Sequence, residues 1–126
     1  MSKKFSPVDR LASFRFAIRG LRTLLAQEHN ARVHLVATIA VIIIGVATGL
    51  DADEWRWVVL AAALVWAAEA FNTAVERLGD AISLEHHPQI GIAKDVAAAG
   101  VLVCSLCAAL IGLTVFAPHI SRWLGA

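Results

Sequence analysis

The sequence predicts an all-α integral membrane protein, a single domain over residues 1–126 in which an amphipathic surface helix precedes three transmembrane helices. Hydrophobic residues make up 59% of the chain, whereas soluble domains contain roughly 45–50%. The charged residues, 17% of the chain, are concentrated outside apolar runs that are long enough to span a bilayer. A soluble fold of this length has too little interior to cover so much apolar surface, so that surface is expected to meet lipid or other copies of the chain.

The first element is a surface helix predicted over about residues 8–30. Its apolar residues recur every three or four positions, and its arginines gather on another face. The apolar set is Leu11, Phe14, Ile18, Leu21 and Leu25. Seven of the eleven basic residues precede the first long apolar run. A basic amphipathic leader beside a hydrophobic span predicts a helix in the inner leaflet near anionic lipid head groups, and no nucleic-acid partner.

Three transmembrane helices follow, predicted over about residues 33–50, 55–78 and 96–117. The first contains one ionisable residue, His34, which lies at its edge and is interpreted as interfacial. The second has no helix breaker before Gly79, so its polar end belongs to the same helix, and Trp66 within it is interpreted as apolar bulk. Pro88 predicts a turn before the third helix. The distribution of Lys and Arg predicts a cytoplasmic N-terminus and an extracytoplasmic C-terminus.

The second predicted helix carries a polar stripe in EAFNTAVERLGD, residues 69–80. At 100° per residue, its five polar members share a face roughly 100° wide. They are Glu69, Asn72, Thr73, Glu76 and Asp80. Measured from Trp57, Glu69 lies about 18 Å inward and Glu76 about 28 Å, near the cytoplasmic boundary. A carboxylate at the depth of Glu69 costs on the order of 3 kcal/mol if it faces lipid, so the stripe is expected to face protein or water.

Three charged residues elsewhere in the chain are predicted to lie at the level of Glu76. They are Glu28 at the end of the surface helix, and Lys94 and Asp95 at the start of the third span. Carboxylates at a water boundary suit Mg²⁺, and a lysine beside them suits a polyphosphate. One interpretation is phosphoryl transfer from a cytosolic nucleotide to a membrane alcohol, with Glu69 at the hydroxyl. A polar seam between helices, an ion pathway and polar contacts within an assembly fit the same geometry.

The chain also contains short motifs in a distinctive order: RGL at residues 19–21, EAFNTAVERLGD at 69–80 and AKDVAAAG at 93–100. The second is similar to the signature E-x-x-N-T-A-x-E-x-x-x-D, and the third to the A-K-D motif, of the prokaryotic diacylglycerol kinase family. RGL, Glu28 and the three-span layout resemble that family as well, so the resemblance covers nearly the whole chain. It implies an ATP-dependent lipid kinase of the bacterial inner membrane that works as a homotrimeric bundle with sites between subunits.

The resemblance implies a role for each matching residue. Glu69 is the expected general base towards the lipid hydroxyl, and Glu28 and Glu76 are expected to hold the Mg²⁺ that bridges the nucleotide phosphates. The implied catalytic residues are Glu69, Asn72, Lys94 and Asp95. The implied nucleotide contacts are Arg10, Glu28, Glu76, Asp80, Glu85, His86, His87, Lys94 and Asp95. The lipid substrate is expected to contact Glu69, Arg22 and Ala98.

Two lipid alcohols are candidates for the substrate. NARVHL at 30–35 and HHPQIGIAKDVAAAG at 86–100 are more similar to the undecaprenol kinase branch than to the branch that acts on diacylglycerol. The expected product is therefore undecaprenyl phosphate or phosphatidic acid. The competing hypothesis is a small oligomeric proton or cation conductor that uses Glu69 and Glu76 as its pathway.

Overall fold

The computed structural model describes residues 7–125, and for residues 7–11 it describes only the backbone. The described residues form four helices: α1 (Pro7–Gln27), α2 (His29–Thr48), α3 (Ala52–Ile82) and α4 (Pro88–Trp123). Of these, α2, α3 and α4 are long and apolar enough to cross a membrane. The prediction of an all-helical chain with three candidate spans is confirmed.

The junction between α1 and α2 is a single extended residue, Glu28, with φ −105° and ψ 124°. The helical run predicted to continue to residue 30 therefore stops at Gln27, and a new helix begins at His29. Arg32 stabilises this junction, because its guanidinium donates to the carbonyl oxygens of Leu25 (3.0 Å) and Ala26 (2.5 Å). These carbonyls belong to the last turn of α1, where no helical N–H follows to pair with them.

Helix caps stabilise the turn between α2 and α3 at both of its ends. Gly49 adopts φ 72°, a left-handed conformation that favours glycine, and closes α2. Asp51 then caps α3: its carboxylate accepts from the amides of Asp53 (2.8 Å) and Glu54 (2.9 Å). The Glu54 carboxylate accepts from the Asp51 amide in return (2.9 Å), which completes a capping box. These caps fix α2 and α3 as neighbours joined by a short turn.

Helices α3 and α4 are longer than a bilayer core requires. Their 31 and 36 residues correspond to about 46 and 54 Å, against a core of about 30 Å. Helix α4 begins at Pro88 itself, where the sequence indicated a turn, because proline fits the first helical position. It also continues past Pro118 to Trp123. The polar stripe, residues 69–80, therefore occupies the C-terminal part of α3.

The buried core is small and lies near the α2–α3 turn. Leu50, Val58 and Val115 form it, with Trp55 and Phe116 among the half-buried residues around it. The most extensive helix contact joins α3 and α4, and α2 lies against α3. Many large apolar side chains on the three spanning helices are exposed on the isolated chain. Such surface is compatible with lipid or with further copies of the chain.

Candidate functional site

The buried part of the polar stripe of α3 faces the neighbouring helices, whereas Asp80 at its end is exposed. Glu69 is 2% exposed, and Asn72 and Thr73 are each 6% exposed, although all three follow a long apolar run. A cavity of about 320 Å³ lies beside them. Its lining includes Glu69, Asn72 and Glu76 from α3, together with residues of α2 and α4. The prediction that these three side chains turn towards protein rather than lipid therefore agrees with the structure.

Several polar atoms in this cluster are buried without a hydrogen-bond partner among the described residues: Glu69 Oε2, Asn72 Oδ1 and Thr73 Oγ1. The Asn72 amide Nδ2 donates to Glu76 Oε1 at 3.1 Å, which leaves the Asn72 oxygen aimed elsewhere. Buried polar atoms without partners are unfavourable by about 1–3 kcal/mol each, so such a group is expected where a ligand completes the bonding.

Glu28 lies close to this cluster from the α1–α2 junction. Its Oε1 accepts from Arg77 Nη2 at 2.9 Å, and Gln27 accepts from the same nitrogen at 2.5 Å. Arg77 is the residue directly after Glu76 on α3. Arg77, on α3, thus holds the α1–α2 junction beside the stripe.

Lys94 reaches α3 from the first turns of α4. Its Nζ bonds Asp80 Oδ1 at 2.5 Å, with the two side chains 33% and 57% exposed. The lysine stem passes over Gly79, where an added Cβ would lie 2.9 Å from Lys94 Cε and 2.8 Å from Ile90 Cγ2. Gly79 therefore permits the close approach that brings Lys94 to Asp80, at the solvent-exposed end of the stripe.

The remaining predicted site residues are distributed around this centre. Ala98 lines the cavity from α4. Asp95 and Arg22 are exposed on α4 and α1, and neither lines it. Glu85, His86 and His87 are exposed in the turn before α4, where Ser83 Oγ accepts from the Glu85 amide. The side chain of Arg10 lies outside the described residues.

The structure adds residues that the sequence did not single out. His34, interpreted as interfacial, is 19% exposed, and its Nε2 lies 3.7 Å from Glu69 Oε2. Trp66, interpreted as apolar bulk, donates from Nε1 to Thr38 Oγ1 at 3.0 Å and ties α3 to α2. The available signal for His34 was that it is the one ionisable side chain in an otherwise apolar run.

The donor set at the stripe fits a hard cation that keeps most of its water. Glu28, Glu76 and the unpaired Asn72 oxygen supply oxygen ligands only, the type that Mg²⁺ prefers. Among the side chains that the structure describes, those of residues 12–125, no group of three from His, Cys, Asp or Glu is placed to enclose a metal ion. Mg²⁺ bound to nucleotide phosphates needs only one or two carboxylates, so the residues present fit that ion.

Comparison with known proteins identifies the relatives of this chain. Residues 15–116 match the family described as prokaryotic diacylglycerol kinase. The chain belongs to this family. The undecaprenol kinase of Bacillus subtilis (strain 168) is 36% identical over 108 residues, which cover 86% of this chain and 88% of that protein.

Two further family members are called diacylglycerol kinase. The protein of Synechocystis sp. is 33% identical over 86% of this chain, which spans 62% of that relative. The protein of Escherichia coli (strain K12) is 30% identical over 75% of this chain and 78% of that protein. Family membership makes the chain a lipid kinase, and the three candidate spans agree with a membrane enzyme.

Proposed function

We propose that this chain transfers the γ-phosphate of ATP to the hydroxyl of a membrane lipid alcohol, either undecaprenol or diacylglycerol. The observation that carries the proposal is the buried Glu69 carboxylate, which lines a cavity together with Asn72 and Glu76 and has an oxygen without a partner in the described structure. The product is undecaprenyl phosphate or phosphatidic acid. The 36% identity to an undecaprenol kinase supports the first of these.

In the proposed reaction, Glu69 accepts the proton of the lipid hydroxyl as the O–H bond breaks. The lipid oxygen forms a bond to the γ-phosphorus, and the bond from that phosphorus to the bridging oxygen breaks to release ADP. Glu28 and Glu76 would hold Mg²⁺, which would neutralise charge on the phosphates. Asn72 and Lys94 orient the donor.

The outer part of the proposed site is formed by residues around the solvent-exposed end of the stripe, at Asp80. Asp80 and Asp95, the turn residues Glu85, His86 and His87, and Arg10 are proposed to contact the nucleotide, and Arg22 and Ala98 the lipid. We propose that the enzyme works in the bacterial inner membrane as a homotrimer, with the N-terminus cytoplasmic and the C-terminus extracytoplasmic. The exposed apolar surface of the isolated chain supports an assembly in lipid.

The competing hypothesis of an ion conductor has less support. A second cavity of about 560 Å³ continues from the polar one towards the α2–α3 turn, and Trp55, Val58 and Phe116 are among its mostly apolar lining residues. A conductor requires polar groups or water along its whole length, whereas the described stripe stops at Glu69.

The test uses purified protein in mixed micelles with Mg²⁺, labelled ATP and either lipid. We expect labelled lipid phosphate, and the faster of the two lipids is the natural substrate. Glu69→Gln is expected to lower kcat by about 10²- to 10⁴-fold, because glutamine cannot accept the proton. Asp53→Asn, an exposed carboxylate at the opposite end of α3, is the matched control and is expected to keep full activity. Lipid phosphate formed at the normal rate by Glu69→Gln would contradict the assigned base.

A further inference from the structure

His34 occupies the place where the polar and apolar cavities meet. It lines both of them, and Ser105 of α4 is the other residue that they share. The polar cavity leads to Glu69 and Glu76, and the apolar one leads towards Trp55. A lipid alcohol that presents its hydroxyl to Glu69 would therefore meet His34 at the boundary between its polar and apolar parts.

The charged surroundings of Glu69 make His34 distinctive. Glu76 lines the polar cavity with Glu69, and Arg77 holds Glu28 at the α1–α2 junction, so both of these neighbours are acidic like Glu69 itself. In the described part of the chain, the basic atom that lies beside this carboxylate is His34 Nε2, 3.7 Å from Glu69 Oε2. That oxygen is also the one without a hydrogen-bond partner there. A small rotation of either side chain brings the pair to about 2.7–3.2 Å, the hydrogen-bond distance.

We propose that His34 is a positioning residue for the reaction: its Nε2–H donates to Glu69 Oε2 and holds the other carboxylate oxygen towards the lipid hydroxyl. This inference rests on the proposed function, because it assigns a partner to the proposed base. Oriented carboxylates gain rate from geometry, and a misplacement of about 1 Å costs as much as 10²-fold. His34 thus acts through Glu69 and does not itself exchange a proton with the substrate.

A purely structural role for His34 would be to tie α2 to α3. The structure provides a separate tie one turn further along α2, where Thr38 accepts from Trp66. Trp66→Phe removes the donor of that hydrogen bond, and the Thr38 hydroxyl keeps its own bond to the His34 carbonyl oxygen (2.7 Å). It is therefore the matched control for the loss of contact between the two helices.

The test compares His34→Leu, His34→Gln and Trp66→Phe with the wild type, measuring kcat and KM for both lipid and Mg·ATP in mixed micelles. Leucine removes the donor, whereas glutamine places an N–H near the position of Nε2. We expect His34→Leu to lower kcat by about 10- to 100-fold with an unchanged KM for Mg·ATP. His34→Gln is expected to recover most of the loss, and Trp66→Phe to keep the wild-type kcat.

Each other outcome counts against the inference. Wild-type kcat in His34→Leu, equal losses in the leucine and glutamine variants, or the same loss in Trp66→Phe would overturn it. Should the leucine variant fail to fold, His34→Ala supplies the donor-free comparison, with thermal unfolding as the check. An active wild type with the same kcat in His34→Leu overturns this inference alone, whereas an inactive wild type overturns the proposed function and this inference with it.

Discussion

Gly79 shows how one missing methyl group places a functional side chain. The stem of Lys94 lies against the Gly79 backbone on its way to Asp80, and Ile90 fills the adjacent space. A Cβ at this position would approach both residues to less than 3 Å. Because the lysine is the longer and more flexible of the two, it is the side chain expected to move.

Replacement of Gly79 by alanine is therefore expected to impair nucleotide binding more than folding. Alanine gains about 1 kcal/mol of helix propensity, which offsets part of the clash, while Lys94 is displaced from Asp80. We expect KM for Mg·ATP to rise about 5-fold, which corresponds to about 1 kcal/mol of lost binding. Steady-state kinetics measure this, with Gly91→Ala as the control because a Cβ there meets nothing within 4 Å. Equal KM values for the two variants would contradict the role given to Gly79.

At the scale of the element, the break between α1 and α2 places Glu28. Arg32 reaches back across this break to the carbonyls of Leu25 and Ala26, and Arg77 of α3 reaches Glu28 from the other side. The two arginines hold an extended residue between two helices that would otherwise be free to merge or separate.

Loss of Arg32 is expected to weaken metal binding without removing a metal ligand. In Arg32→Ala the last carbonyls of α1 lose their donor and Glu28 loses its fixed position. The Mg²⁺ concentration needed for half-maximal activity is then expected to rise about 5-fold, equivalent to about 1 kcal/mol. The Mg²⁺ concentration needed by Arg32→Lys is expected to lie between those of the wild type and Arg32→Ala, because an ammonium group lacks the planar donor geometry of a guanidinium. A magnesium titration that gives the wild-type midpoint for Arg32→Ala, beside the remote control Arg56→Ala, would refute this.

At the opposite end of the bundle, hydrogen bonds of His119 join α3 and α4. His119, 7% exposed, bonds Glu54 Oε1 through Nε2 at 2.8 Å, and Arg122 Nη2 bonds its Nδ1 at 3.0 Å. Because arginine only donates, Nδ1 accepts and Nε2 carries the hydrogen that Glu54 receives. The turn beyond Pro118 is thereby fixed to the capping box of α3.

His119→Leu is expected to lower stability while leaving catalysis intact. The substitution removes a buried hydrogen bond between helices far from the polar cavity, so we expect Tm to fall by roughly 5 °C with kcat unchanged. Thermal unfolding in detergent measures the first and the lipid kinase assay the second. Asp53→Ala, which removes an exposed pair with Arg56, is expected to leave Tm unchanged. A large loss of kcat in His119→Leu would show that this end takes part in catalysis.

For the whole molecule, the isolated chain buries very little of its apolar surface. No residue in the most apolar stretch of α4 is fully buried within the chain, and 11% of the residues in the corresponding stretch of α2 are buried. Residues such as Ile43, Phe71 and Leu113 therefore face lipid or another subunit. The proposed homotrimer would cover part of this surface.

The trimer proposal predicts a definite mass. Native mass spectrometry of the active protein released from nanodiscs is expected to give three times the 13.5 kDa chain. Phe71→Trp and Leu113→Trp, two exposed positions on different helices, are expected to differ in their effect on assembly, because only a position at an interface is overpacked by the larger ring. Full activity in a species with the mass of one chain would exclude the trimer as the working form.

Much of this architecture was predictable because it depends on local pattern. The three apolar runs gave the spans, and helical periodicity alone placed Glu69, Asn72 and Glu76 on one face, as the structure has them. The capping box of α3 was also readable in Asp51 and Glu54, although it was not recognised. The exact ends of α1 and α4 were not predictable, because Arg32 and His119 stabilise them through contacts outside the local sequence.

The sequence by itself determined that the chain has three apolar spans and a buried polar stripe, and its motifs identified the family. Only the tertiary structure decided the contacts between helices at that stripe and beside it: His34 opposite Glu69, Lys94 on Asp80 and, beside the stripe, Arg77 on Glu28. The physical reason is that spacing within a helix is set by its constant rotation per residue, whereas contacts between helices depend on how their faces pack.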